Sequence, residues 1–247
     1  MRLTVIIPMY NESARIKSSL TTLHSALEAA MPLEEFEILA SNDGSTDQTP
    51  QIVSALEKEL PRLRLLSLKQ NEGKGGAVRL GMLEAKGDFV LFTDSDLAYG
   101  TDHILAFLSA FEKGRGKAIL GSRAICPEGY AGYTPLRRFL SKGYLFLIKT
   151  MAGFPYSDSQ CGIKGFENSL AKELFDPLET RGFAFDLEIL LQLHQKGVSV
   201  CQLPVAVINH GTSTVHPVRD ALRMFRDLLK IKHSARARQK KEKKQKQ

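Results

Sequence analysis

Short apolar runs alternate with amphipathic stretches along the first 120 residues of the chain. Residues 3–7, 37–40, 63–68, 89–93 and 118–120 have the length and apolar character of buried strands. Between the first two, Ile16, Leu20, Leu23 and Leu27 recur at helical spacing, and helices are also predicted over 51–60, from 73–76 to about Ala85, and over 104–111. Such alternation predicts an α/β fold in which helices cover both faces of a mostly parallel sheet.

Polar clusters follow three of these predicted strands. They are Pro8–Glu12, Asn42–Asp47 and Asp94–Asp96. Ligands of open parallel sheets bind at the carboxyl ends of the strands, so these clusters predict one binding site along a single edge.

The second half of the chain is less regular. Residues 122–160 are rich in Gly, Pro, Arg and Tyr, which favours loops around one amphipathic helix. A helix is predicted over Asp186–Lys196, ending at Gly197, followed by a strand over Val198–Val207 and a last amphipathic helix from Val218 to about Ile231. We expect one domain over residues 1–232 and a disordered basic tail over 233–247.

The net charge of +7 is concentrated at the end of the chain. From Lys230 to Gln247 there are nine Lys or Arg and one Glu, which leaves the preceding residues close to neutral. The tail has no aromatic residues among its cations on which bases could stack, so no nucleic-acid partner is expected.

Several other features favour a cytoplasmic protein. The three cysteines, Cys126, Cys161 and Cys201, are widely spaced and predict neither a disulfide framework nor a zinc site. The longest apolar run, Tyr144–Ile148, is far shorter than the roughly 20 residues that span a bilayer. The first residues lead directly into a predicted strand and do not have the pattern of a signal peptide.

Asp94 and Asp96 are the first candidates for chemistry. Two carboxylates at the end of a strand can hold Mg²⁺ or Mn²⁺ together with substrate phosphates, although a solvated turn would also explain the pair. Asp43 could accept a hydrogen bond from a nucleobase, or its segment could simply cap the next helix through Asp47. The segment Asn71-Glu-Gly-Lys-Gly-Gly76 suits a diphosphate but lacks the Gly-Lys-Ser/Thr ending of a P-loop.

Taken in order, these segments resemble a known family of enzymes. The motifs are Pro8-Met-Tyr-Asn-Glu12, Asp43-Gly-Ser-Thr-Asp47, Asn71-x-Gly-Lys-Gly75, Asp94-x-Asp96, Gly121-Ser-Arg123 and Asp158-x-Gln-Cys-Gly-x-Lys164. They resemble the inverting family 2 glycosyltransferases of GT-A fold, and more narrowly the branch that contains dolichyl-phosphate glucosyltransferase and dolichol-phosphate mannose synthase. The Gln-Cys-Gly-x-Lys and Phe-Asp-x-Glu motifs favour the glucosyltransferase side, with UDP-glucose rather than GDP-mannose as donor.

The resemblance implies roles for particular residues. The nucleotide sugar would be bound by Pro8, Tyr10, Glu12, Asp43, Lys74, Asp94 and Gln160. Asp94 and Asp96 would hold Mg²⁺ or Mn²⁺, which would neutralise charge on the departing nucleoside diphosphate. The acceptor phosphate would meet Arg123, Arg137 or Arg138, and Lys164, although Lys164 could instead be a surface residue on a strand.

The acceptor determines which catalytic groups are needed. A lipid phosphate is already anionic, so its oxygen can attack without a general base, whereas a hydroxyl acceptor requires one. We expect Asp158 to orient donor or acceptor, and Asp186 to do likewise unless it only caps a helix. Together with Arg123, these residues form the predicted catalytic set.

Three functions remain open from the sequence. The first is transfer of a hexose from a nucleotide sugar to a polyprenyl or dolichyl phosphate. The second is transfer to a glycan hydroxyl, with Asp158 or Asp186 as the base, and the third is binding without catalysis. For the first, we expect the chain to lie at the inner face of a membrane, attracted to anionic lipid by its basic tail. Residues 139–154 could lie in the membrane interface or form a buried helix.

Overall fold

The computed structural model describes residues 2–129, 143, 153 and 155–208. The strands are β1 (Leu3–Met9), β2 (Phe36–Asn42), β3 (Leu63–Ser67), β4 (Phe89–Phe92), β5 (Ala118–Ser122), β6 (Lys164–Glu167) and β7 (Val200–Pro204). The helices are α1 (Ile16–Ala30), α2 (Thr49–Leu56), α3 (Lys74–Glu84), α4 (Thr101–Glu112), α5 (Asn168–Phe175) and α6 (Phe185–Gln195), with a 3₁₀ turn at Leu33–Glu35.

The strands form one sheet in the order β3-β2-β1-β4-β6-β5-β7. β6 runs antiparallel to both of its neighbours, β4 and β5, and the other pairings are parallel. The predicted mostly parallel sheet flanked by helices is therefore confirmed, and the antiparallel β6 makes it a mixed sheet.

Helices cover both faces of this sheet because its central strands are apolar on both sides. Along β1, Leu3, Val5 and Ile7 join a core shared with α1, α2 and α4. Ile6 points to the opposite core, which is built with α3, α5 and α6. The alternation follows from the two-residue period of a strand, and it determines which helices pack on each face of the sheet.

Most predicted elements are present, with shifted ends. The helix predicted over 51–60 is Thr49–Leu56, and the strand predicted over 198–207 is Val200–Pro204. Gly197 ends α6 with a φ of +61°, as its position predicted. The last predicted helix, the segment 139–154 apart from its described glycines, and the basic tail lie outside the described residues. None of the helices in the described part of the chain is long and apolar enough to cross a membrane.

Candidate active site

The turn that follows β1 is joined to the turn that follows β2. The Asn11 side chain accepts a hydrogen bond from the Thr46 N–H (2.9 Å), and the Asn11 N–H donates to the Ser45 hydroxyl (2.9 Å). Asp47 accepts from Ser13 N–H (3.1 Å) and from Thr49 N–H at the first residue of α2 (2.9 Å). Asp47 lies one residue before the N-cap Gln48 and binds the first backbone N–H of α2, close to the capping role that one of the sequence alternatives predicted, while it also holds the β1 turn.

Asp43 holds the glycine-rich loop that leads into α3. Its two carboxylate oxygens accept hydrogen bonds from the backbone N–H groups of Glu72 (2.8 Å) and Gly73 (2.9 Å). Burial raises the pKa of Asp43, and these two N–H groups oppose that shift. In this structure the carboxylate therefore orients the loop of Lys74, and its predicted contact with a nucleobase stays a prediction.

Glu12 connects the first motif to the two aspartates at the end of β4. Its carboxylate accepts a hydrogen bond from the Ser95 hydroxyl (3.0 Å) and pairs with Arg15 (2.8 Å). Tyr10, two residues earlier, is one of the exposed large side chains. The β1 turn thus presents an aromatic ring beside the carboxyl edge and contacts the segment between Asp94 and Asp96.

Asp94 and Asp96 differ in their partners. The Lys74 ammonium forms an ion pair with Asp94, while Asp96 accepts a hydrogen bond from the Ala98 N–H (3.0 Å). Burial raises the pKa of Asp96, and the negative charge of Asp94 raises it further. A divalent cation would relieve this repulsion, so the two carboxylates fit Mg²⁺ or Mn²⁺ by charge and by donor chemistry.

No cluster of three or more His, Cys, Asp or Glu side chains with a metal-binding arrangement occurs within the described ranges. A cation at Asp94 and Asp96 would therefore need further oxygen ligands. The phosphates of a nucleotide are the usual source of such ligands in magnesium sites.

A second charged pair, Arg123 and Asp158, lies where β5 ends. Asp158 accepts hydrogen bonds from Arg123 Nε (2.7 Å) and Nη2 (2.9 Å), from the Arg123 N–H (3.1 Å) and from the Gln160 N–H (3.0 Å). Asp158 is 5% exposed. Burial acts to raise the pKa of Asp158, but the hydrogen bonds and charge of Arg123 outweigh it and hold the pKa below its usual value.

The third pair, Lys164 and Asp186, is buried. Lys164 begins β6 and its ammonium donates to Asp186 (2.7 Å) and to the Cys161 carbonyl (2.6 Å). Lys164 is fully buried, so the alternative of a surface residue was wrong, although the strand was correct. Burial raises the pKa of Asp186, and the charges of Lys164 and Lys74 oppose that shift.

Two loops pack tightly where α3 and α6 begin. The Gly76 N–H donates to the Arg181 carbonyl (3.2 Å), and a Cβ on Gly75 would lie 2.7 Å from the carbonyl oxygens of Arg181 and Thr180. The N–H groups of Glu179 and Thr180 are held by the buried Glu188 carboxylate. A Cβ at position 73 or 75 would collide with the Arg181 carbonyl, which explains the glycines on both sides of Lys74.

Tyr99 and Gly162 support Asp94 and were not predicted as site residues. The Gly162 N–H donates to the buried Tyr99 hydroxyl oxygen (2.9 Å), and a Cβ on Gly162 would lie 2.0 Å from Asp94 Oδ2. The close approach explains the glycine within the Gln-Cys-Gly-x-Lys motif. No spacing rule in the sequence indicates that Tyr99 reaches this motif.

The structure thus brings most of the predicted residues to one edge. β1, β2, β4 and β5 end there, β6 begins there, and together they carry Pro8, Tyr10, Glu12, Asp43, Asp94, Asp96, Arg123 and Lys164. A cleft of about 480 Å³ opens beside Asp96, between α1 and the start of α4. Arg137 and Arg138 lie outside the described residues, so their contact with an acceptor stays a prediction.

A comparison with protein families shows what kind of chain this is. Residues 4–175 match the model of glycosyl transferase family 2. The chain belongs to this family. The motifs that carried the resemblance are the segments that form the carboxyl edge described above, so family and geometry agree.

Among curated proteins, the family 2 chain is similar to dolichyl-phosphate beta-glucosyltransferases. It is 34% identical to ALG5C of Trichomonas vaginalis, with 92% of this chain and 70% of that protein covered. It is 31% identical to the Saccharomyces cerevisiae enzyme, with 93% of this chain and 74% of that enzyme covered. It is also 30% identical to glycosyltransferase AglD of Haloferax volcanii over 93% of its own length, but it spans only 37% of that protein.

Solved structures show the same fold at lower identity. Glucosyl-3-phosphoglycerate synthase from Mycobacterium tuberculosis, crystallised with Mn²⁺, UDP and phosphoglyceric acid, aligns with a TM-score of 0.68 at 17% identity. The alignment covers 94% of this chain and 78% of that one. The present chain therefore has the GT-A fold that the resemblance implied.

Proposed function

We propose that the chain transfers glucose from UDP-glucose to the phosphate of a polyprenyl or dolichyl lipid. The names of the curated relatives support the sugar and the acceptor. One solved structure of this fold contains UDP and Mn²⁺, and another contains UDP-GlcNAc. Both support a uridine nucleotide as the donor.

The observation that carries the proposal is the state of the carboxylates around the site. Asp158 is held by Arg123, Asp186 by Lys164, and Glu188 by two backbone N–H groups. A general base needs an oxygen directed at the acceptor, with a pKa near the working pH. Asp158 has a lowered pKa and its oxygens are bound, which argues against a base and for an acceptor that is already anionic.

The reaction then needs few protein groups. An oxygen of the lipid phosphate attacks the anomeric carbon, the bond from that carbon to the diphosphate breaks, and UDP leaves from the opposite face, which inverts the configuration. Pro8, Tyr10, Glu12 and Asp43 would border the nucleoside, while Lys74 lies next to Asp94, where the diphosphate would bind. Gln160 would face the sugar from the segment that also carries Asp158.

Asp94 and Asp96 would hold Mg²⁺ or Mn²⁺. When bound, the cation supplies Lewis-acid neutralisation of the leaving diphosphate. Arg123, Arg137 and Arg138 are proposed to meet the acceptor phosphate because a guanidinium matches the geometry of phosphate oxygens. In this account Arg123 is itself held in place by Asp158, which makes Asp158 a positioning residue.

The direct test is transfer of labelled sugar into an organic-extractable product. Purified protein with dolichyl phosphate and Mg²⁺ or Mn²⁺ is offered UDP-glucose and GDP-mannose in separate reactions. We expect label from UDP-glucose, lost with a chelator and in Asp96→Ala but retained in Asp176→Ala, which removes an exposed carboxylate. Label only from GDP-mannose would contradict the donor assignment, and donor hydrolysis without lipid label would contradict the phosphate acceptor.

A further inference from the structure

The carboxylate of Asp94 has two candidate partners: the ammonium of Lys74, and the divalent cation of the proposed function. Lys74 is the first residue of α3, an end of a helix where a positive charge is disfavoured by the helix dipole. Its side chain is only 20% exposed, and its ammonium lies on Asp94 Oδ1. Asp94 is also a carboxylate that the divalent cation of the proposed function would use.

The surrounding charges show what holds Lys74 in this position. The ammonium of Lys74 is held by its ion pair with Asp94, and Asp96 adds a second carboxylate two residues further along the chain. Asp186 is matched by Lys164, while Lys74 offsets the charge of Asp94; the neighbouring Asp96 is also attracted by Arg15. In this structure Lys74 thus supplies the positive charge that a metal ion would otherwise bring.

A metal ion and the ammonium cannot share Asp94 without cost. Both are cations, and they would meet at a half-buried carboxylate where solvent screens their repulsion less than in water. The donor diphosphate is an anion that arrives at the same place, and it offers the ammonium a new partner.

We propose that Lys74 is an exchangeable counterion of Asp94, which competes with the divalent cation in the absence of donor and binds the diphosphate once the donor arrives. The inference rests on the proposed function. It adds that the free enzyme disfavours metal until the nucleotide is present, which would couple metal binding to donor binding.

The first test measures Mn²⁺ binding to donor-free protein, by the electron paramagnetic resonance of the unbound ion. Lys74→Met should bind Mn²⁺ about tenfold more tightly than the native chain, because it removes a cation that competes for Asp94. A charge in contact with a carboxylate shifts a binding equilibrium of that carboxylate by about one power of ten or more. Lys86→Met, which removes an exposed lysine beyond the far end of α3, should bind as the native chain does. Unchanged or weaker Mn²⁺ binding in Lys74→Met would overturn the proposal.

Lys74→Met should change UDP affinity in the direction opposite to its effect on Mn²⁺ affinity. With a chelator present, Lys74→Met should bind UDP more weakly than the native chain, because the ammonium that the diphosphate would recruit is gone. Tighter Mn²⁺ binding together with weaker UDP binding is not expected from a general loss of structure. Equal UDP affinities would contradict the second half of the exchange.

A third measurement uses the native chain and does not depend on the variant folding. Limited acetylation followed by peptide mass spectrometry reports how accessible the Lys74 amine is. Acetylation should be slow in the free protein, faster with Mn²⁺ alone and slow again when UDP is added. A rate that Mn²⁺ does not change would overturn the proposal.

These tests separate the inference from the proposed function. If Asp96→Ala binds Mn²⁺ as tightly as the native chain does, the metal site of the proposed function fails, and the inference fails with it. If Mn²⁺ binding needs Asp96 but is unaffected by Lys74→Met, only the inference fails.

Discussion

At the scale of single residues, the site is built from pairs of opposite charge at the carboxyl edge. Lys74 pairs with Asp94, Arg123 with Asp158, and Lys164 with Asp186. Burial of one member of such a pair is tolerated only while its partner is present, because an unpaired buried charge loses its hydration without compensation. Each pair therefore fixes the position of a group that we propose to contact the substrate.

The Arg123–Asp158 pair gives the first prediction. Asp158→Asn should lower the free energy of unfolding by about 3–5 kcal/mol, because it leaves the buried Arg123 guanidinium without its carboxylate. Urea unfolding at neutral pH measures the change. Asp176→Asn, at an exposed carboxylate, should change it by less than about 0.5 kcal/mol.

The same pair predicts a pH dependence. The pKa of Asp158 is lowered in the folded state, so its stabilising effect is present above the usual value of 3.8 and is lost as the pH falls through the folded value. The native chain should therefore lose more stability than Asp158→Asn when the pH is lowered from 5 to about 3. Parallel losses in the two proteins would contradict the assigned pair.

Residue identities were more predictable than residue partners. Asp94 and Asp96 could be proposed from their place after a predicted strand, whereas Asp158 and Arg123 were proposed only through the resemblance to the family. The bond from Lys164 to Asp186 could not be read from the sequence, because it joins residues 22 positions apart through the tertiary fold. The same limit applies to Tyr99, whose hydroxyl reaches Gly162 from 63 positions away.

At the scale of elements, the loop before α6 packs closely against the start of α3 and supports the candidate site. Gly73 and Gly75 approach the Arg181 carbonyl so closely that a Cβ on either would lie 2.7 Å from its oxygen. The contact sets where Lys74 and Asp186 stand, since each lies in the first turn of a helix that begins at this junction. Phe183, in the same loop, is 71% exposed.

The glycine junction gives the third prediction. Gly75→Ala should destabilise the protein by about 2 kcal/mol or more, because its Cβ meets backbone oxygens that cannot move independently. Gly182→Ala is the matched control, since a Cβ there would meet nothing within 4 Å. Thermal unfolding of both variants measures the difference, and equal effects would show that the junction tolerates a side chain.

Helices and strands with a strong apolar periodicity were predictable from the sequence. Those whose conformation depends on pairing with neighbouring strands were not. The apolar spacing in Ile16–Ala30 predicted α1 almost to its ends. β6 is only four residues long, contains a glycine and starts with a buried lysine, so its sequence lacks an apolar alternation. It is a strand because β4 and β5 hydrogen-bond to it on both sides. Nothing in the pattern predicted that it runs antiparallel.

At the scale of the whole molecule, the sheet gathers the proposed substrate-binding groups at one edge, and the sequence concentrates its basic residues separately, in 230–247. The first 229 residues are close to neutral, so electrostatic attraction to a membrane would depend on that tail. Each Lys or Arg near an anionic leaflet contributes about 1 kcal/mol before screening.

The tail gives the fourth prediction. The native chain should sediment with vesicles that contain phosphatidylserine, and a chain shortened after Ile231 should lose most of that binding because it lacks eight of the nine cations. Sedimentation with neutral vesicles is the control. A shortened chain that still sediments with the anionic vesicles would contradict a membrane role for the tail.

The central claim is that the acceptor is a phosphate that needs no base from the protein. The most direct measurement compares dolichyl phosphate with dolichol of the same chain length as acceptors of labelled glucose from UDP-glucose. We expect product from dolichyl phosphate and none above background from dolichol, since Asp158, Asp186 and Glu188 are held by Arg123, Lys164 and backbone N–H groups. Comparable transfer to the alcohol would contradict the proposed acceptor, because a hydroxyl acceptor requires a general base and these pairings argue against one.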